Sequence, residues 1–132
     1  MRADWLAAAT IIVVCVASAL AAEHTRDSLD KVKANLKDKK AVLLDVRDKD
    51  EWDEGHLADA TLVPLGKLRK AETADELLKN VPKDKIVYTH CALGKRALDA
   101  GEILKAKGYD VRPLSAGYEE LVKQGFEKAK AK

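Results

Sequence analysis

The stretch that most constrains this fold is Ala41-Val42-Leu43-Leu44-Asp45-Val46, a short and nearly continuous apolar run. A run of this kind reads as a strand buried on both faces, which puts it in a parallel sheet covered above and below by helices. Residues 60–63, stopped by Pro64, and Ile86-Val87-Tyr88 repeat the signal. Residues 111–114 do so with Pro113 among them, which removes one backbone donor from that strand. Between the runs, apolar residues return at helical spacing. Leu29, Val32 and Leu36 follow Ser28, a natural N-cap, while Leu68, Ala71, Ala74, Leu77 and Leu78 predict one or two short helices within 67–80, ahead of Pro82. Ala97, Ala100, Gly101 and Leu104 mark the inner face of a longer helix that closes at Gly108. Residues 48–55 predict a turn of helix capped by Gly55, and 118–123 a last helix before a Lys/Ala tail that is expected to fray. Strands alternating with helices specify an open α/β sheet with helices on both faces, whose sites form at the carboxyl ends of the strands.

The chain has 132 residues, enough for one domain around a single core. Its first residues differ in kind from the rest. Met1-Arg2-Ala3-Asp4 leads into an uncharged run over 5–22 that ends in the small-residue segment Ala19-Leu20-Ala21. This is the pattern of a secretory signal over 1–21, cleaved before Ala22, and it predicts an exported, periplasmic or secreted domain over 22–132. The same run, if retained, is long enough to span a bilayer, so the alternative is a membrane anchor over 5–22. Cys15 lies inside it as an apolar filler, without the small preceding residue that a lipoprotein signal wants. The net charge of +2 is spread over interleaved charges, and aromatic residues make up 5% of the chain, so neither a basic stripe nor a stacking platform for nucleic acid is present. His24, His56, His90 and the cysteine of the mature chain lack metal-ligand spacing, and no metal or other cofactor is expected.

Removal of the signal leaves Cys91 as the one cysteine, so no intramolecular disulfide can form even in an oxidising compartment. Cys91 opens the segment Cys91-Ala92-Leu93-Gly94-Lys95-Arg96, between a predicted buried strand and a predicted helix. A turn in that place points successive backbone N–H groups inward as an anion-binding nest, and Gly94 allows the backbone angles it needs. The helix dipole, with Lys95 and Arg96 alongside, favours a thiolate at Cys91, the form that acts as nucleophile. Singly, each residue has a plain reading: a buried core cysteine, a glycine serving a turn, two solvated cations of a first helical turn. Together, in a strand-loop-helix setting, they point to a reactive cysteine. His90 is read as a flank of the loop, since adjacent side chains project in different directions.

Several separated motifs resemble the rhodanese homology domain over 25–125. Leu44-Asp45-Val46-Arg47, Glu51-Trp52, Gly55-His56-Leu57 and Ala60 are similar to that family's N-terminal signature. Tyr88-Thr89-His90-Cys91 with Gly94 and Arg96 resembles its active-site strand and loop, and Lys107-Gly108-Tyr109-Asp110-Val111 with Leu114-Ser115-Ala116-Gly117 its C-terminal signature. The resemblance implies an α/β fold with an open, mainly parallel five-stranded sheet flanked by helices on both faces. It implies a sulfurtransferase in which the Cys91 thiolate takes the outer sulfur of a sulfane donor such as thiosulfate. The resulting persulfide is held by the backbone of Ala92, Leu93, Gly94, Lys95 and Arg96 and passed to a thiol acceptor, small molecule or protein, while the Lys95 and Arg96 side chains attract the anionic donor. Asp45 and Arg47, with Glu51 and His56, are expected to organise the fold near the site. The C-terminal signature departs from the family pattern: Ala116-Gly117 stands for the usual Gly-Gly, and Tyr118 follows with no tryptophan after it. Related phosphatases and arsenate reductases place their arginine one position further from the cysteine, where this chain has Ala97, so no phosphatase activity is expected. The competing reading is a non-enzymatic persulfide carrier, sensor or binding module built on the same loop.

Overall fold

The structure, a computed structural model, describes residues 21–131, so all but the end of the expected signal or anchor, Cys15 included, lies outside the described residues. The elements follow in the order α1 (Leu29–Lys37), β1 (Ala41–Asp45), α2 (Lys49–Glu54), β2 (Ala60–Leu62), α3 (Leu65–Leu68), α4 (Ala71–Leu78), β3 (Ile86–His90), α5 (Lys95–Ala106), β4 (Asp110–Pro113) and α6 (Tyr118–Lys123). Local chemistry starts them where the sequence predicts. Ser28 caps α1 by accepting the Lys31 N–H at 3.1 Å, and the Glu51 carboxylate accepts the Asp48 N–H at 3.1 Å at the head of α2. Of the one or two helices predicted within 67–80 there are two, and the first starts earlier than expected, directly after Pro64, whose fixed φ suits the entry.

The strands form one parallel sheet in the order β2-β1-β3-β4. Successive residues of a strand face opposite sides, and the core divides accordingly. Leu44 and Val87 pack with Leu65, Leu68, Leu78, Ala97 and Leu104 from α3, α4 and α5. Their chain neighbours Leu43 and Tyr88 pack on the other side with Val32 of α1 and Leu121 of α6. Helices thus cover both faces, as the nearly unbroken apolar run of β1 requires.

The sheet has four strands among the described residues, not five. The segment ahead of α1 does reach the outer edge of β4, where the Thr25 N–H donates to the Pro113 carbonyl at 2.7 Å. One such bond fixes a crossing chain and makes no ladder. Pro113 is the last residue of this edge strand, a place that tolerates a missing donor. The tail does not fray as expected. Leu57 forms an antiparallel bridge with Lys128, while the Ala58 and Ala129 N–H groups donate to the carbonyls of Glu127 and His56, both at 2.9 Å.

Candidate functional site

β1 and β3 are the central strands, paired in register from Ala41 opposite Ile86 to Asp45 opposite His90. Residues just beyond their carboxyl ends therefore meet in the middle of the sheet edge, and Cys91 is one of them. Its side chain is 1% exposed and belongs to the core layer under α5. The sulfur accepts the N–H of Gly94 at 3.0 Å and that of Ala97 at 3.4 Å, at the N-terminus of α5. Backbone donors and the positive end of the helix dipole converge on one atom, an arrangement that stabilises negative charge there.

Gly94 makes this geometry possible. It caps α5 in the left-handed region, at φ 96° and ψ −19°. A side chain would be strained there, and its Cβ would lie 3.0 Å from the Ser115 carbonyl oxygen and 3.2 Å from Nε2 of His24. Gly117 is needed for a different reason: a Cβ at that position would fall 1.7 Å from the Ala92 carbonyl oxygen. The C-terminal segment supports the loop from beneath, and the Tyr118 N–H donates to the Cys91 carbonyl at 2.9 Å. Thr89 ties the end of β3 to the helix by donating its hydroxyl to the Ala97 carbonyl at 2.9 Å.

The two cations of the loop stand differently from what the sequence suggests. Arg96 is committed to Glu51, donating to Oε1 at 2.6 Å and Oε2 at 3.0 Å. The Arg96 guanidinium holds the Glu51 carboxyl down to about 2, with burial pulling the other way and the Asp48 N–H adding to the lowering. Lys95 is exposed and paired with Asp99 at 2.7 Å, one helical turn on, and this hydrogen bond raises its amine. Neither is an unengaged cation beside the sulfur; each is matched by a carboxylate that loop spacing alone does not reveal. The Leu93 side chain stands 91% exposed, so this residue can serve the sulfur only through its backbone. Among the described residues the sulfur has two amide donors. Gly94 is one of the five positions whose backbone is expected to hold a persulfide; Ala97 lies one position beyond that set, and its N–H is one of the first-turn amides of α5 that have no carbonyl partner within the helix.

Behind the loop sits a buried ion pair. Arg47 donates to both carboxylate oxygens of Asp45, by Nε at 3.0 Å to Oδ1 and by Nη2 at 2.9 Å to Oδ2, and Nη2 also reaches the Gly55 carbonyl at 2.7 Å. The guanidinium lies 4.2 Å over the Tyr118 ring. Gly55 ends α2 in an extended conformation, so it is not the left-handed cap that its position suggests; there its missing Cβ leaves room for the Tyr118 hydroxyl, which would lie 2.9 Å away. His90 is fully buried beside this pair, its Nε2 3.7 Å from Asp45 Oδ2, and neither ring nitrogen has a hydrogen-bond partner among the described residues. Burial pushes its imidazole below the ordinary range, against the pull of Asp45. His56 stacks on Trp52 at 3.5 Å and donates Nδ1–H to the Trp52 carbonyl, which gives it a role in ending α2.

Sequence reasoning gave Ala97, Tyr118 and the polar segment before α1 no part in the site. Ala97 read as core face because periodicity reports where a Cβ points and not where an N–H does. Tyr118 was visible as the departure from a tryptophan, and its place under Arg47 gives that departure a structural role.

Residues 28–124 match the rhodanese-like domain family. The chain is 31% identical over 108 residues to a probable adenylyltransferase/sulfurtransferase MoeZ of Mycobacterium tuberculosis, an alignment covering 81% of this chain and 25% of that protein. It is 35% identical over 80 residues to a putative mitochondrial thiosulfate sulfurtransferase of Schizosaccharomyces pombe, covering 54% of this chain and 56% of the relative. The chain thus spans a quarter of the first relative and little over half of the second. A solved human single-domain sulfurtransferase superposes with a TM-score of 0.63 at 26% identity, covering 74% of this chain and 95% of that one. With the family's match extending from the N-cap of α1 to the end of α6, and with a four-stranded core that places Cys91 at the head of α5, this chain belongs to the rhodanese-like domain family.

Proposed function

We propose that the protein is a sulfurtransferase that carries sulfane sulfur on Cys91. The observation that carries this reading is the pair of backbone N–H groups on the sulfur at the N-terminus of α5. In the first half-reaction the Cys91 thiolate attacks the outer sulfur of thiosulfate. A new S–S bond forms, the S–S bond of the donor breaks, and sulfite leaves with the electron pair. In the second, an acceptor thiolate attacks the terminal sulfur of the Cys91 persulfide, and Cys91 departs as thiolate. Both states are anionic, and a backbone nest serves both without changing its own protonation. We assign the N–H groups of Ala92, Leu93, Lys95 and Arg96 to the second sulfur. The buried Asp45–Arg47 pair, which touches no part of the sulfur's donor set, supports the loop indirectly. The acceptor is a small thiol or the exposed cysteine of a protein.

The test is the intact mass of the purified protein after thiosulfate, for wild type and Cys91→Ser. Gain of one sulfur atom by the wild type alone is the expected result; no gain with any sulfane donor tried sinks the proposal. A second reading, a carrier that loads one sulfur and waits for its acceptor, draws support from the occupied state of Arg96 and Lys95, which leaves the donor little free positive charge at the loop. Stoichiometric labelling without turnover under excess cyanide supports the carrier, and sustained thiocyanate release the enzyme.

A further inference from the structure

The polar segment ahead of α1, which the sulfur chemistry does not use, runs along the edge of β4 and arrives at the reactive loop. Thr25 is bonded to Pro113, and the next residue toward the N-terminus, His24, places Nε2 2.9 Å from the Gly94 carbonyl oxygen. A carbonyl can only accept, so Nε2 carries the proton. The His24 ring is half-buried and also lies within contact distance of the Gly94 Cα region, where a Cβ would come within 3.2 Å of Nε2.

Gly94 is the pivot of the site. Its N–H points at the sulfur while its carbonyl, on the far side of a left-handed Cα, begins the hydrogen-bond pattern of α5 by accepting the Leu98 N–H at a long 3.3 Å. That intrahelical bond alone is weak. Glycine gives this position the freedom to rotate as well as the freedom to adopt the angle, so something else must hold it. The shorter bond to the Gly94 carbonyl comes from a side chain distant in sequence.

We propose that His24 is a positioning residue for the reactive loop: its Nε2–H bond to the Gly94 carbonyl fixes the orientation of Gly94 and keeps its N–H aimed at Cys91. The inference deepens the sulfur-transfer reading but depends on it only for the effect on turnover. A neutral imidazole protonated at Nε2 and an imidazolium both serve, because both donate from that atom. Locking the loop in advance matters because a nest helps an anion only if its donors need no rearrangement when charge develops.

Amide hydrogen exchange in the full chain, followed residue by residue by NMR, tests this without any sulfur substrate. His24→Ala is expected to raise the exchange rate of the Gly94 amide about fivefold, the equivalent of one hydrogen bond of about 1 kcal/mol. His24→Gln, which returns an N–H donor, is expected to restore it to within about twofold, with the amides of β1 and β3 unchanged in both. An unchanged Gly94 rate in His24→Ala overturns the proposal, as does an equal rise throughout β1 and β3, or a His24→Gln variant that behaves like alanine. If Cys91 also takes up sulfur, the second half-reaction slows in His24→Ala with little change in the donor KM. Absence of sulfur uptake by the wild type would fail the functional reading while leaving the exchange result to decide on His24.

Discussion

Two arginine–carboxylate pairs flank the Cys91 loop, and they are built to opposite specifications. Asp45–Arg47 lies behind it, with side chains 0% and 5% exposed; Glu51–Arg96 lies at its mouth, each side chain about a third exposed at 32% and 31%. Both are bidentate. The inner pair is closed on every side by the Gly55 carbonyl, the Tyr118 ring and His90, so neither partner can leave without stranding the other in the core. The outer pair can open into water at little cost. The lesson is that similar ion-pair geometry does different jobs according to burial: one pair fixes the frame on which the loop rests, the other sets how much positive charge the loop shows a ligand.

The largest expected effect tests the inner pair. Arg47→Met leaves Asp45 buried and unpaired and should cost about 3–5 kcal/mol in chemical denaturation, whereas Arg96→Met should cost no more than about 1 kcal/mol. Equal losses would break the distinction. Next comes His90, the neutral neighbour of the inner pair. Its imidazole is depressed in the folded chain relative to the ordinary 6.5, so the unfolded chain binds the proton first as pH falls. Stability should be full above about 6.5 and decline below it, with a slope of at most about 1.4 kcal/mol per pH unit, and His90→Gln should flatten that decline. An identical acid profile in the variant would show that His90 is not the group responsible.

The outer pair gives smaller effects. The Glu51 carboxyl is held at about 2 against an ordinary 4.5, so its contribution is present above 4.5 and fades as pH drops toward 2. Glu51→Gln should change stability at pH 7 by less than about 1 kcal/mol while releasing Arg96, and thiosulfate loading measured below saturation should rise about threefold. A fall in loading would mean that Arg96 acts only as half of the pair. The smallest effect is expected of Leu93→Ala, whose side chain touches mostly water: stability within about 0.5 kcal/mol and an unchanged loading rate, with any loss confined to transfer onto a protein acceptor.

The frame was largely legible in the sequence because it is written in local signals. The apolar runs of β1 and β3, the helical spacing of Ala97, Ala100 and Leu104, and the capping serine of α1 each depend on near neighbours in the chain. Cys91 was legible for the same reason, as a strand end followed by a glycine and a helix start. The fifth strand came from family resemblance and not from the runs themselves, which number four. What stayed hidden were contacts between distant residues: Glu51 cancelling Arg96, Gly117 against Ala92, and the edge of β4 occupied by one crossing bond. Side-chain charge in a sequence shows no partner, and Lys95 and Arg96 read as available until the fold supplies their carboxylates.

The remoteness of those contacts also bears on how the chain folds. Arg96 and Glu51 are separated by 45 residues, and His24 and Gly94 by 70. Contacts that close such long loops are costly in chain entropy, and so is the pairing of β1 with β3, whose partners lie as far apart in the chain as Glu51 and Arg96. The donors on the sulfur, Gly94 and Ala97, are close to Cys91 in the chain, whereas the groups that support them, His24 and Gly117 among them, come from distant parts of it. Thiol reactivity at Cys91 is therefore expected to report on the tertiary fold as a whole, and not on the segment from β3 to α5 alone.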